Sequence, residues 1–160
     1  MSGNPENSSA ENSSDSSIGS GFELLDHPAD MGLRVWAGTQ ERLFSTAGLA
    51  LTTVLFDTNE IEARTESEIE VVAADLELLL YNWLSELLFL FDAEAAIFRD
   101  IDVVSITADA GNLRLRARAR GEEYESDRHS LKTYVKAVTL HQLQIRAGEN
   151  GYEAVIYLDI

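Results

Sequence analysis

Two carboxylates and an imidazole fall within one short segment, Asp26-His27-Pro28-Ala29-Asp30. Pro28 fixes its own φ and disfavours helix at His27, so we interpret the segment as a turn. Oxygen ligands on a short loop suit a hard cation such as Ca²⁺ or Mg²⁺, and an added histidine would admit Mn²⁺ or Zn²⁺. Turn aspartates also commonly accept backbone hydrogen bonds, and spacing alone favours that structural interpretation.

The second candidate is the end of the chain, Leu158-Asp159-Ile160, which directly follows a strand-forming run. If the last strand is internal, the Asp159 carboxylate and the α-carboxylate of Ile160 lie on adjacent, well-held residues. Placed near Asp30, they would concentrate negative charge, which is costly unless a cation neutralises it or a proton is shared. A solvated, frayed terminus is the alternative, and residue types alone favour it.

Basic residues cluster around a predicted strand over residues 133–146, where Lys132, Lys136 and His141 lie. In an unbroken strand His141 points opposite to the lysines, toward apolar neighbours, which is typical of a hydrogen-bonded core residue. His129 lies in a predicted loop and has no evident partner. The sequence contains no GxSxG, P-loop or HExxH motif, so no pattern indicates a catalytic centre.

Arginines alternate with apolar residues along the predicted strand over residues 113–120. Guanidinium groups match phosphate oxygens, so an RNA-binding face is one interpretation. Outward charges also protect a strand from sticking to others, and here they would pair with nearby carboxylates. We favour the second interpretation because no aromatic residue interleaves them to stack on bases. The residues are Arg114, Arg116, Arg118 and Arg120.

The composition is strongly acidic, with 28 Asp and Glu against 12 Lys and Arg and a net charge of −16. Such a field repels polyanions, so we expect no stable direct binding to nucleic acid. The scarcity of lysine suggests a hypothesis, namely a cytoplasm rich in salt, where screening removes self-repulsion. An acidic protein of an ordinary cell is the competing explanation. The lack of cysteine excludes a disulfide scaffold, a thiolate zinc site and a cysteine nucleophile.

The length of 160 residues fits one domain. Residues 1–20 are rich in Ser and Asn and almost without apolar side chains, which predicts a disordered tail before a domain over residues 21–160. Apolar spacing predicts two helices, 40–56 and 76–91, among strands grouped as hairpins. We therefore predict an α+β fold, a largely antiparallel sheet packed with two main helices. The predicted strands cover residues 22–25, 31–37, 61–72, 97–98, 103–108, 113–120, 133–146 and 152–159. No signal peptide or membrane-spanning run is evident, so we expect no membrane association.

Several separate blocks resemble the archease family, in order and at the expected spacing over residues 22–160. The blocks are residues 26–32 against DHTADxG, residues 82–92 against WLNELLYLFD, residues 121–141 against GExxxxxxH–KxxVKAVTYH, and the ending Leu158-Asp159-Ile160. Pro28, Ser85 and Leu140 depart from the pattern, where Thr, Asn and Tyr are usual.

This resemblance implies a protein cofactor of an RtcB-type RNA ligase, which joins RNA ends in tRNA splicing and RNA repair. That ligase becomes guanylylated on a histidine with GTP and Mn²⁺. An archease promotes the guanylylation and multiple turnover without being an enzyme itself. We accordingly expect a cytoplasmic, monomeric activator whose partner is the ligase.

The resemblance also implies a divalent-metal site formed by Asp30, Asp159 and the terminal carboxylate of Ile160, for Ca²⁺, Mg²⁺ or Mn²⁺. Further residues would support the site or contact the partner: Asp26, His27, Glu86, Lys132, Lys136 and His141. Two alternatives remain open, a metal-dependent hydrolase that uses the same carboxylates with His27, and a chaperone-like adaptor that needs no metal.

Overall fold

A computed structural model describes residues 19–26 and 30–160. The predicted tail, residues 1–20, lies outside the described residues apart from Gly19 and Ser20. The strands are β1 (Gly21–Asp26), β2 (Met31–Ala37), β3 (Thr65–Ala73), β4 (Ala96–Asp109), β5 (Asn112–Glu123), β6 (Ala137–Val138), β7 (Gln144–Gly148) and β8 (Gly151–Asp159). The helices are α1 (Gln40–Leu55), α2 (Leu76–Glu94) and a short 3-10 turn, Thr58–Glu60. The predicted α+β class, with antiparallel strands and two main helices, is confirmed.

The described strands form two sheets. The first has five strands in the order β1-β2-β8-β6, with β7 also paired to β8, and the second has the order β3-β5-β4. All of these pairings are antiparallel. Because β8 is bordered by β2 on one side and by β6 and β7 on the other, the last strand is internal to its sheet.

Both helices begin at the residues that their caps predict. The Thr39 hydroxyl accepts from the Arg42 amide at 3.2 Å, and the Asp75 carboxylate accepts from the Leu78 amide at 2.8 Å, which satisfies amides that have no intrahelical partner. The two helices meet in the core, where the buried Trp83 indole donates to the Phe44 carbonyl at 2.9 Å. This bond lets a large apolar ring be buried without an unsatisfied N–H.

The strand predicted over residues 133–146 is wrong as a continuous element. Only Ala137–Val138 and Gln144–Gly148 are extended and paired. Between them Thr139 bonds to the Tyr157 carbonyl through its amide and its hydroxyl, and Gln142 turns the chain with φ of 54°. His141 is consequently exposed at a turn, so its predicted place in the core is also wrong.

Two other predicted strands, residues 97–98 and 103–108, form one element. They join in β4, whose pairing with β5 shifts register between Phe98 and Asp100 and again between Val103 and Ser105. These bulges interrupt the alternation of apolar residues, so the sequence pattern indicates two short strands where the structure has one.

No helix among the described residues has the length and apolar content that a membrane-spanning helix requires.

Candidate functional site

The ends of three strands bring the two separated acidic segments of the sequence together. Asp26 of β1 pairs with Met31 of β2, and Met31 pairs with Leu158 of β8. Asp30 precedes Met31 and Asp159 follows Leu158, so the same antiparallel register places Asp30 and Asp159 opposite each other. Asp30, just before β2, and Asp159, at the end of β8, therefore lie at the same end of the first sheet.

Alternation along the two strands places both carboxylates on one face of the sheet. Leu33 of β2 and Ile156 and Leu158 of β8 are fully buried on the inner face. Side chains alternate along a strand, so Asp159, which follows the buried Leu158, points to the outer face. Extending the alternation of β2 by one residue places Asp30 on the same outer face, and its Oδ1 atom is buried.

A lysine that immediately precedes β6 lies at the same end of the sheet. The Lys136 amide donates to the Asp159 carbonyl oxygen at 2.8 Å, and the next residue, Ala137, is the register partner of Asp159. Ile160 continues β8 past this pair and is 40% exposed. This end of the sheet thus contains Asp30, Asp159 and Lys136, one of the two lysines in the sequence.

An aromatic side chain covers the sheet next to the two carboxylates. Tyr157 is the cross-strand partner of Gly32, and a Cβ on Gly32 would lie 3.1 Å from the Tyr157 ring and 3.0 Å from the Leu25 Cβ. The ring therefore occupies the space over Gly32. The exposed ring of His141 lies with its centroid 6.5 Å from that of Tyr157, which places His141 beside this part of the sheet.

Lys132 and Glu86 make their contacts at other elements. The Lys132 ammonium donates to the Thr53 carbonyl at 2.9 Å, and its amide donates to the Leu55 carbonyl at 2.8 Å, so Lys132 binds the C-terminal end of α1. Glu86 lies on the side of α2 that faces β3, where it lines a shallow depression with Val72 and other residues.

The donor set at this edge suits a hard divalent cation. Asp30 and Asp159 supply carboxylate oxygens from adjacent strands, which are ligands that Ca²⁺, Mg²⁺ and Mn²⁺ accept. Among residues 19–26 and 30–160, no group of three or more His, Cys, Asp and Glu side chains could hold a metal ion. A complete site would therefore need other oxygen donors, such as the Ile160 carboxylate or water. His27 lies outside the described residues.

The arginines of β5 pair mainly with acids of the neighbouring strands. Arg114 bonds to Glu70 and to Asp109, and the Arg116 guanidinium lies 3.3 Å from Glu70. Arg120 bonds to Glu66 at 3.1 Å. The hydrogen bonds to Asp109 and Glu70 raise the pKa of Arg114. The predicted pairing with carboxylates is confirmed for these three arginines.

Residue types alone did not reveal one buried polar pair. His129, predicted to have no evident partner, is 3% exposed, and its Nε2 atom lies 3.0 Å from Oε1 of the equally buried Glu122. The only signal in the sequence was the spacing of the two residues within the GExxxxxxH block.

The fold is that of a small α+β protein with two antiparallel sheets, and two acidic residues lie at one end of the first sheet. The sequence matches the model of the archease protein family (MTH1598/TM1083) over residues 22–160. "Protein archease" of Methanosarcina barkeri is 39% identical over 145 residues, which are 91% of this chain and 99% of that protein. The protein of the same name from Sulfolobus acidocaldarius is 36% identical over 139 residues, 87% of this chain and 98% of its own. The chain therefore belongs to the archease family, as the sequence blocks predicted.

Solved structures agree with this assignment. The solution structure of Methanobacterium thermoautotrophicum protein 1598 is similar with a TM-score of 0.76 at 34% identity, covering 87% of this chain and 98% of that one. The crystal structure of an archease from Thermotoga maritima, described as a possible chaperone, has a TM-score of 0.52 at 17% identity, covering 86% and 96%. The second similarity concerns the fold alone.

Proposed function

We propose that this protein is a non-catalytic activator of an RtcB-type RNA ligase, which promotes guanylylation and multiple turnover of that ligase in tRNA splicing and RNA repair. The activity depends on a divalent metal ion held by Asp30, Asp159 and the carboxylate of Ile160. The observation that supports this proposal is the register of Met31 with Leu158, the neighbours of Asp30 and Asp159. Membership of the archease family supports the choice of partner.

The chemistry of the site follows from its charge. Two carboxylates on one sheet face repel each other, and a bound cation relieves that repulsion while the strands hold the oxygens in place. A metal ion, when bound, would supply positive charge at the mouth of the ligase active site, where metal and nucleotide are handled. Lys136 adds a basic residue at the same end of the first sheet, since its backbone amide donates to the Asp159 carbonyl.

The test measures guanylylation and ligation by a purified cognate ligase with and without this protein. Asp30→Asn and Asp159→Asn keep size and remove charge, and each should lower the stimulation at least about tenfold, since loss of even an outer-shell partner of a metal ligand typically costs about 10–100-fold. Asp102→Asn on exposed β4 is the matched control and should stimulate fully. Full stimulation by both site variants would refute the metal-dependent role.

The same assay separates the alternatives. A chain shortened by Asp159 and Ile160 should lose the stimulation under our proposal but keep it if the protein is a chaperone-like adaptor. A metal-dependent hydrolase would instead show turnover by the isolated protein with a divalent ion, and without any ligase.

A further inference from the structure

The segment between β5 and β6 is held by buried polar groups. Among the described residues, Glu122 and His129 are the buried ionisable side chains, at 8% and 3% exposure. Glu122 lies at the end of β5, and His129 lies in the segment that joins β5 to β6. Burial of a carboxylate and an imidazole is costly unless each group is fully paired, so their contacts must be specific.

The hydrogen bonds of His129 fix where its proton sits. The Glu125 backbone N–H donates to Nδ1 at 2.9 Å, so Nδ1 must be an unprotonated acceptor. A neutral ring carries one N–H, which is then on Nε2 and points at Oε1 of Glu122, 3.0 Å away. The Nη2 atom of Arg128 lies 3.3 Å from the same Nε2 and also bonds to Glu122, so the carboxylate is the common acceptor.

The Glu122 carboxylate joins the loop to a distant segment. Its second oxygen accepts from the Glu62 backbone N–H at 2.6 Å, and Arg128 neutralises its charge. Arg128 also lies 3.3 Å from Glu125. One carboxylate at the end of β5 thus ties Arg128 and His129 of the β5–β6 segment to the chain that leads into β3.

An aromatic cluster closes this polar group off from water. The Tyr124 ring stacks on His129 with a centroid distance of 5.9 Å and an interplanar angle of 28°. Tyr124 packs in turn against Phe56 and Phe91, each with its centroid 5.6 Å away. The rings come from the end of α1 and from α2, so the loop is fixed relative to both helices.

The residues after His129 continue along a fixed path to the candidate metal site. Ser130 donates to Glu60 through its amide at 2.9 Å and its hydroxyl at 3.1 Å. Leu131 forms a β-bridge with Phe56, and the Lys132 amide bonds to the Leu55 carbonyl. The chain then reaches Lys136, whose amide donates to Asp159.

We infer that Glu122, Arg128 and His129 form a positioning clamp that sets the path of the segment to Lys136 and holds it against Asp159, with His129 in its Nε2–H tautomer. The three side chains bond to one another and to the backbone amides of Glu62 and Glu125, so they act on the candidate site through the segment. An effect of this clamp on ligase stimulation rests on the proposed function. Its effect on hydrogen exchange of the Lys136 amide does not depend on that function.

The first experiment is ¹⁵N NMR of the imidazole nitrogens of the full chain at neutral pH. The expected spectrum shows an unprotonated Nδ1 and a protonated Nε2 for His129, without exchange between tautomers. A protonated Nδ1, or averaging of the two nitrogens, would overturn the clamp. The exposed ring of His141, which lies beside Tyr157, provides an internal comparison in the same spectrum.

The second experiment is native-state hydrogen exchange of the Lys136 amide. His129→Leu should speed this exchange at least about tenfold more than it speeds exchange in β2, because lost hydrogen bonds open the segment locally. Val103→Ala in the β4 core is the control for general destabilisation and should speed all protected amides together. His129→Gln, which keeps a donor toward Glu122, should restore much of the protection.

Equal acceleration at Lys136 and in β2 by His129→Leu would show a merely structural role and overturn the inference. If His129→Leu does not fold, Glu122→Gln provides the same comparison with a shape-preserving change. A selective exchange effect without any change in ligase stimulation would leave the clamp intact and contradict the proposed function at Lys136 instead.

Discussion

The Nζ atom of Lys132 lies 2.9 Å from the carbonyl oxygen of Thr53, at the C-terminal end of α1. The last turn of α1 contains no basic residue of its own, so a lysine from the distant loop supplies the cation. A positive charge at this position is favourable because the last carbonyls lack partners and the helix dipole ends there.

We predict that Lys132→Met lowers the free energy of unfolding by about 0.3–1 kcal/mol, since the contact is exposed to solvent. Ligase stimulation at saturating protein should change little. Lys136→Met should show the reverse, with stability nearly unchanged and stimulation strongly reduced. Urea titration and the ligation assay on both variants measure the difference. An equal loss of ligase stimulation in both variants would contradict the separate roles of Lys132 in stability and of Lys136 in stimulation.

The arginine row on β5 yields a second prediction. Arg116 lies across from Glu70 on β3 in the strand register. Arg116→Glu places like charges opposite each other and should destabilise the sheet by about 0.2–1 kcal/mol, measured by urea denaturation. Arg116→Gln is the control and should cost less.

The same variants test the role of this face in RNA binding. Because the arginines pair with acids, Arg116→Glu should leave RNA-dependent ligase stimulation unchanged. A loss of stimulation with Arg116→Glu, but not with a core variant of equal stability, would instead favour an RNA-binding face.

A third prediction concerns the close approach of β4 and β5. A Cβ at Gly121 would lie only 1.8 Å from the Ile97 carbonyl oxygen, and a backbone atom cannot swing aside as a side chain can. Gly121→Ala should therefore destabilise the protein by about 2 kcal/mol or more. Gly148→Ala is the matched control because nothing lies within 4 Å of its added Cβ. Thermal unfolding of the two variants should differ clearly, and similar midpoints would contradict the tight packing.

The elements that the sequence predicted best are those with a long apolar period and a cap. The predicted helix 40–56 corresponds to Gln40–Leu55, and the helix 76–91 extends to Glu94. In contrast, residues 133–146 are predicted as one strand, although only Ala137–Val138 and residues 144–146 pair with β8 as strands. Local periodicity cannot show how much of a segment finds a partner strand.

The site was predictable only in part for the same reason. Residue types offered Asp30 and Asp159 only as candidate ligands, and the resemblance to the archease family singled them out, whereas their position opposite each other follows from the register of β2 and β8. His129 was unpredictable from residue types because its burial depends on Tyr124 and on rings from α1 and α2. Its hydrogen bonds depend on how the loop folds back onto Glu125.

A fourth prediction tests the hypothesis of a salt-rich cytoplasm. The net charge of −16 destabilises the compact state through self-repulsion, which salt screens. The Debye length falls from about 10 Å at 0.1 M to about 3 Å at 1 M, so repulsion between neighbouring acids weakens strongly over this range. Asp92 and Glu94 are exposed in the last turn of α2, which contains no basic residue, so they lie well within reach of such repulsion.

We therefore expect the unfolding midpoint to rise continuously as potassium chloride increases from low to molar concentration. Sucrose at matched osmolality is the control because it stabilises without screening charge. A substitution of exposed acids by their amides, as in Asp92→Asn with Glu94→Gln, should reduce the salt-dependent gain while it raises stability at low salt. A midpoint that does not rise with salt, or that rises equally in sucrose, would favour an acidic protein of an ordinary cell.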